Sequence, residues 1–156
     1  MLPRCLLLPW LLLWLPACST AKKWQEVQSG PMTLAEVYDG IEQTAVGDGL
    51  AASAPDSDRG LGIWQSRWRE RYLGGVARPG RYRLRCEILI DEGTAEMGWV
   101  VRYHVERQKV ADLTRSRDPA ESDWSSDGQD QESEFLFGSR LALRLRSPNS
   151  PLKPAN

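Results

Sequence analysis

The chain has 156 residues, a formal net charge of −1 and a sequence pI near 5.9. That balance excludes a bulk electrostatic attraction to nucleic acid, and no nucleic-acid partner is expected. With a short leader set aside, about 140 residues remain, the size of one domain with a real core.

The leader comes first. Arg4 gives a short positive end, Cys5 to Leu15 is almost wholly apolar, and a small residue precedes Cys18. About 20 apolar residues are needed to span a bilayer, so this run reads as a cleaved secretory signal over residues 1–17. Leu15-Pro16-Ala17-Cys18 resembles the lipobox of bacterial lipoproteins, and an ordinary cleaved signal with an incidental cysteine is the alternative. The resemblance implies lipidation at Cys18. Several acyl chains, each contributing about 0.8 kcal/mol per buried methylene, would hold the protein on its membrane. Ser19 at the following position resembles outer-membrane lipoproteins, which implies an anchor facing the periplasm. Cys5 then leaves with the signal and Cys18 is acylated, so Cys86 is the one remaining thiol and no internal disulfide can form.

Residues 18–23 read as a lipidated tether and 24–146 as a single domain. Trp24 to Ser29 alternates enough to be a short edge strand. Thr33-Leu34-Ala35-Glu36 is a capping box, and Leu34, Val37, Tyr38, Ile41 and Ala45 then share one helical face up to Gly47. Gly40 weakens that helix by about 1 kcal/mol relative to Ala. Asp48 to Gly60 is a loop. Ile63 to Tyr72 fits a helix through Trp64, Trp68 and Tyr72, but its aromatic content and the flanking Gly74-Gly75 and Pro79-Gly80 turns favour a strand with Gln65, Arg67, Arg69 and Arg71 on the opposite face.

The clearest pattern follows. Tyr82, Leu84, Cys86, Ile88 and Ile90 alternate with charged residues, and Trp99, Val101, Tyr103 and Val105 alternate with Arg102, His104 and Glu106. Two half-buried strands in an antiparallel hairpin around Asp91 to Gly98 account for this. Setting Ile90 opposite Trp99 pairs Ile88 with Val101, Cys86 with Tyr103 and Leu84 with Val105, and sets Glu87 against Arg102 and Arg83 against Glu106. Slipping by two residues opposes Arg85 to Arg102, so charge as well as shape selects the first register. Cys86 then faces the core as a small hydrophobe.

Lys109 to Asp123, broken by Pro119, reads as loop. Gln131 to Arg146 reads as a second helix with acidic residues early and arginines late, Phe137, Leu141 and Leu145 forming its inner stripe and Phe135 and Leu143 lying at the margins; the alternation of Leu141, Leu143 and Leu145 leaves a strand open. Residues 147–156 read as a disordered tail. The expected fold is α+β, an antiparallel sheet of three to four strands with two helices packed on one face, in βαβββα order. That element order resembles the helix-grip modules of envelope lipoproteins attached to the β-barrel assembly machine.

Asp123, Ser125, Asp127, Gln129 and Glu134, with Gly128 at the sixth position, resemble an EF-hand loop, which implies calcium as a possible cofactor; a solvated helix start capped by Asp127 or Asp130 is the alternative. Catalytic constellations are not seen. His104 is the one histidine and is expected on the outer face, and Asp56 and Asp58 have no evident acid partner. No enzymatic role is expected. Arg67, Arg69, Arg71, Arg81, Arg83, Arg85 and Arg102 crowd the middle of the chain, ahead of an acidic run from Asp118 through Glu121, Asp127, Asp130 and Glu134. Either the acidic segment folds onto the basic face, or that face takes an anionic envelope lipid or polysaccharide. The leading expectation is a non-catalytic structural, assembly or interaction role with an envelope protein as partner.

Overall fold

A computed structural model of the protein describes residues 22–73, 78–112, 114 and 119–146. The leader 1–17 with Cys18, the Gly74-Gly75 turn, Asp118 and the tail 147–156 lie outside these. The chain runs β1 (Gln25–Gln28), α1 (Leu34–Gly47), β2 (Ile63–Gln65), β3 (Arg69–Leu73), β4 (Arg78–Ile88), β5 (Val100–Val110), β6 (Trp124–Gln129) and α2 (Gln131–Arg144). An antiparallel α+β fold with both helices against one sheet face is observed. Its strand count and order correct the expectation: six strands stand where three to four were expected, in βαβββββα order.

The correction has a simple geometry. β4 and β5 are eleven residues each and pair in the expected register, Ile88 with Val101, Cys86 with Tyr103, Leu84 with Val105, Glu87 with Arg102 and Arg83 with Glu106. Each outer position of the sheet is then filled by two short strands. β1 and β6 share one edge of β5, opposite residues 100–103 and 106–110, while β2 and β3 share the far edge of β4, opposite 85–87 and 78–82. The sheet is four positions wide and six strands long in sequence.

β2 and β3 come from the single strand expected over 63–72, and the break between them changes which side chains face the core. Trp64 pairs with Cys86, but Arg69 pairs with Tyr82, a slip of one residue. A one-residue slip turns every following side chain to the other face. Buried Ser66 makes the break tolerable: its N–H donates to the Leu84 carbonyl (2.9 Å), and its Oγ accepts from the Leu84 N–H (2.9 Å). Trp64 is therefore wholly buried, whereas Trp68 lies on the opposite face with Arg81 and Arg83.

Two further expectations are corrected. Ile90 does not pair with Trp99; the chain leaves the ladder into a 3₁₀ turn at Ile90–Glu92, and the Trp99 N–H donates to Ser29 Oγ (2.8 Å) while its indole donates to the Met32 carbonyl (2.9 Å). Residues 124–129, read within a loop and helix start, form β6 on the edge of β5.

The helices follow the sequence closely. Thr33 and Glu36 close the capping box, Thr33 N–H donating to Glu36 Oε2 (2.7 Å). Asp130 caps α2 by accepting from the Ser133 N–H, and Phe137, Leu141 and Leu145 are buried. The core joins these to Val37, Ile41, Ala45, Trp64, Leu84, Cys86, Val101 and Val105. Gly40, which costs helix propensity, lies at the crossing of the two helices. A Cβ there would lie 2.7 Å from Leu145 Cδ2, so the missing side chain is what seats Leu145.

Candidate functional site

The sheet face away from the helices carries the charge pattern that the sequence singled out. Even-numbered positions of β5 and odd-numbered positions of β4 point this way, because the opposite parity supplies the core. Arg81, Arg83, Arg85 and Arg102 are brought together here. Trp24 reaches the face from the residue before β1, Trp68 through the slip at Ser66, and Trp124 from the start of β6.

Each of these guanidinium groups is already engaged. Arg81 is nearly buried between two indoles, 4.5 Å from the centroids of both Trp68 and Trp124, and donates through Nη1 to Glu121 Oε2 (2.8 Å) and through Nη2 to Glu121 Oε1. Its Nε also donates to Gln108 Oε1 (2.8 Å). Arg83 lies over the Trp68 ring at 4.5 Å and donates to Glu106 Oε2 (2.6 Å). Arg85 and Arg102 share Glu87, at 2.9 Å and 2.8 Å from their Nε atoms, and Arg102 also covers Trp24 at 4.7 Å. Stacking of a desolvated guanidinium on an indole contributes about 2 kcal/mol.

His104 lies beneath this layer. The expectation of a surface or partly covered side chain is corrected: it is wholly buried, with the Trp24 ring edge-on at 4.2 Å, and neither ring nitrogen has a hydrogen-bond partner. Its Nε2 lies 3.6 Å from Glu106 Oε1, beyond hydrogen-bond reach. The His104 ring, opposed by burial and helped by Lys22 and Arg83, holds the Glu106 carboxyl far below the usual carboxylate range. At Glu87, burial raises the pKa, but Arg102 and Arg85 together outweigh it and the net shift is downward. Burial pushes the Cys86 thiol well up, which keeps it protonated and unreactive.

Three of the seven arginines lie elsewhere. The slip at Ser66 sends Arg69 and Arg71 toward the helix side. Arg69 Nη1 donates to the carbonyls of Asp48 (2.8 Å) and Gly49 (3.1 Å) at the end of α1, where a cation suits the helix dipole. Arg71 bonds Asp130 at the start of α2 and stacks 5.0 Å from the Tyr82 ring centroid. Arg67 is exposed and donates from Nε to the Ala52 carbonyl (3.2 Å). Trp24, Trp68, Trp124 and Glu121 were not anticipated as parts of the face. A slip at Ser66 would have revealed Trp68; Trp24, just before β1, and Trp124, at the start of β6, are brought to β5 only by long-range pairing.

The acidic run does fold onto basic side chains. Besides Glu121 on Arg81, Asp127 accepts from Lys109 Nζ (2.7 Å) and lies 2.9 Å from Arg107 Nε, and its carboxyl is lowered chiefly by Lys109. Among the described residues of the outer face, Lys22 and the four arginines stand against Glu87, Glu106 and Glu121, with Glu26 and Glu70 opposite Arg102 and Arg81 in the strand pairing. The formal charge of the face is therefore balanced overall, although Arg85 and Arg102 bond to one carboxylate, Glu87.

The structure does not bring the five EF-hand positions to one centre. Ser125, Asp127 and Gln129 lie in extended β6; Asp123 accepts from the Ala120 N–H (2.8 Å), and buried Glu134 accepts from the Val105 N–H (2.9 Å) and Gln129 Nε2 (2.7 Å). Among the described residues, no group of three or more His, Cys, Asp or Glu side chains is arranged to hold a metal ion.

A second feature lies at the other side of the sheet edge. A groove of about 440 Å³ separates α2 from β1 and β5, lined by Lys23, Gln25, Tyr103, Glu134, Phe135 and Gly138 among others. Lys23 is pinned beside it: its N–H donates to Gln129 Oε1 (2.7 Å) and its carbonyl accepts from Gln129 Nε2 (2.8 Å). No protein-family model matches the chain, and no curated protein compared with it matches.

Proposed function

We propose that the protein is a lipid-anchored lipoprotein of the outer membrane, whose periplasmic domain has a non-catalytic structural, assembly or interaction role with an envelope protein. The observation that carries the anchor is the apolar run ending in Leu15-Pro16-Ala17-Cys18, followed by a short tether to a domain that begins at Trp24. The engagement of the arginines by Glu87, Glu106, Glu121 and three indoles supports a binding role resting on shape and fixed side chains rather than on a bare cationic surface.

Intact mass spectrometry of membrane fractions tests the anchor. A lipid-sized increase on a product starting at Cys18, abolished in Cys18→Ala, is expected; an unmodified soluble product cut elsewhere would sink it. Crosslinking in intact cells then tests for the envelope partner.

One observation favours a second reading. Arg85 and Arg102 share a single carboxylate, and both side chains are partly exposed, so they could take a phosphate or carboxylate group of an anionic envelope lipid or polysaccharide. Salt-dependent binding to anionic vesicles or acidic polysaccharide, lost in Arg85→Ala with Arg102→Ala, would favour it over the protein partner. Equal binding by wild type and the double variant would remove it.

A further inference from the structure

We propose that the outward face of α2 lies against the membrane surface to which the tether leads, an inference that rests on the lipid anchor proposed at Cys18. Phe135, Leu136 and Leu143 are 73, 45 and 65 % exposed, although the same helix buries Phe137, Leu141 and Leu145 on its other side. At 100° per residue, Leu136 and Leu143 fall about 20° apart and form an outward apolar pair, with Phe135 within about 100° of them beyond exposed Glu132 and Ser139. Arg140 and Arg144 lie near these residues toward the C-terminal end, bonding Asp48 and Gln43 while remaining exposed, and exposed Arg146 follows the helix. Apolar side chains beside cations are the composition that enters the boundary between headgroups and acyl chains.

The length of chain outside the structure selects the membrane as occupant. Between Cys18 and Lys23 the backbone reaches at most about 18 Å, at 3.3–3.6 Å per residue. Its far end is not loose, because Gln129 clamps both backbone groups of Lys23 immediately before the Asp130 cap of α2. Phe135 lines the same groove as Lys23. A lipid on Cys18 thus holds the N-terminal half of α2 close to the headgroups, while α2 itself is only about 21 Å long. Leu61, 61 % exposed beside β2, lies at the opposite edge of the sheet, three strand positions or about 14 Å further across.

The test uses the full-length chain expressed with its leader, purified from membranes and reconstituted in phosphatidylethanolamine–phosphatidylglycerol vesicles containing nitroxide-labelled lipid. Single variants Phe135→Cys, Leu143→Cys and Leu61→Cys carry a fluorophore; Cys86 is buried and acylated Cys18 does not react. Quenching at 135 and 143 several-fold above that at 61 is expected. Intact mass is read on the same preparation. Equal, weak quenching at all three positions with lipid present on Cys18 would overturn the apposition and leave the anchor standing; absence of lipid on Cys18 would overturn both. A disulfide formed between the 135 positions of two unlabelled Phe135→Cys chains, with no quenching there, would assign the face to a second copy instead.

Discussion

A Cβ on Gly138 would lie 1.8 Å from the Tyr103 hydroxyl, so this glycine is the space that the phenol occupies against the middle of α2. Gly138→Ala should lower stability by about 1–3 kcal/mol in urea unfolding, the usual cost of overpacking, despite the better helix propensity of alanine. Tyr103→Phe in the same background should restore much of the loss, because it removes the atom that collides; additive losses in the two variants would refute that account. Acid sensitivity has a residue-level origin too. Glu106 and Glu87 both have folded-state pKa values below the ordinary 4.5, so their contribution is complete above about pH 4.5. It is withdrawn as pH falls, because the unfolded chain takes up protons that the folded one resists. Thermal unfolding followed from pH 6 to pH 3 should show this decline, and Glu106→Gln should flatten it. At this scale the alternation made the inward path of Leu84, Cys86, Val101 and Tyr103 legible. The burial of His104 was not, since the indole that covers it comes from Trp24, eighty residues earlier in the chain.

Elements differ in how much of their formation is written locally. α1 was legible to its first turn, because Thr33 and Glu36 satisfy its amide groups from within four residues. β6 was not legible: Trp124 to Gln129 has no apolar alternation, and its extended form is imposed by pairing with β5. β2 and β3 were half legible, since the residues were right for strand but nothing in their order marks a one-residue slip. The slip depends on Ser66, whose hydroxyl takes the Leu84 N–H where the ladder is interrupted. Ser66→Ala leaves that buried donor without a partner and should cost about 1–3 kcal/mol; an unchanged unfolding midpoint would show that the break has other support. Asp130 joins two elements, capping α2 and bonding Arg71 of β3. Asp130→Ala should therefore cost about 1–2 kcal/mol, and more than Arg71→Ala, which keeps the cap.

For the whole molecule, the legible part was the class of fold and the side on which the helices pack; the candidate site was legible as an arginine-rich region but not as a layer closed by indoles and carboxylates. Of the seven arginines singled out in the sequence, four share one face and three lie at helix ends or the surface, Arg69 and Arg71 because one strand slipped. The point at which the chain enters the domain is fixed by Gln129. Loss of the two hydrogen bonds to Lys23, about 1 kcal/mol each, in Gln129→Ala should speed amide exchange of β1 roughly thirtyfold while leaving the centre of β4 and β5 unchanged. Uniform acceleration across the sheet would show that Gln129 supports the whole fold instead.

The division of each outer position into two short strands also bears on how many copies can crowd together. β1, β2, β3 and β6 have four, three, five and six residues, and exposed β3 positions are Arg69, Glu70 and Arg71. Neither margin of the sheet offers a long, flat, uncharged row of amide and carbonyl groups on which another chain could template. Wherever copies of the chain are concentrated, edge-to-edge encounters become frequent, and interrupted margins protect such a population from polymerising.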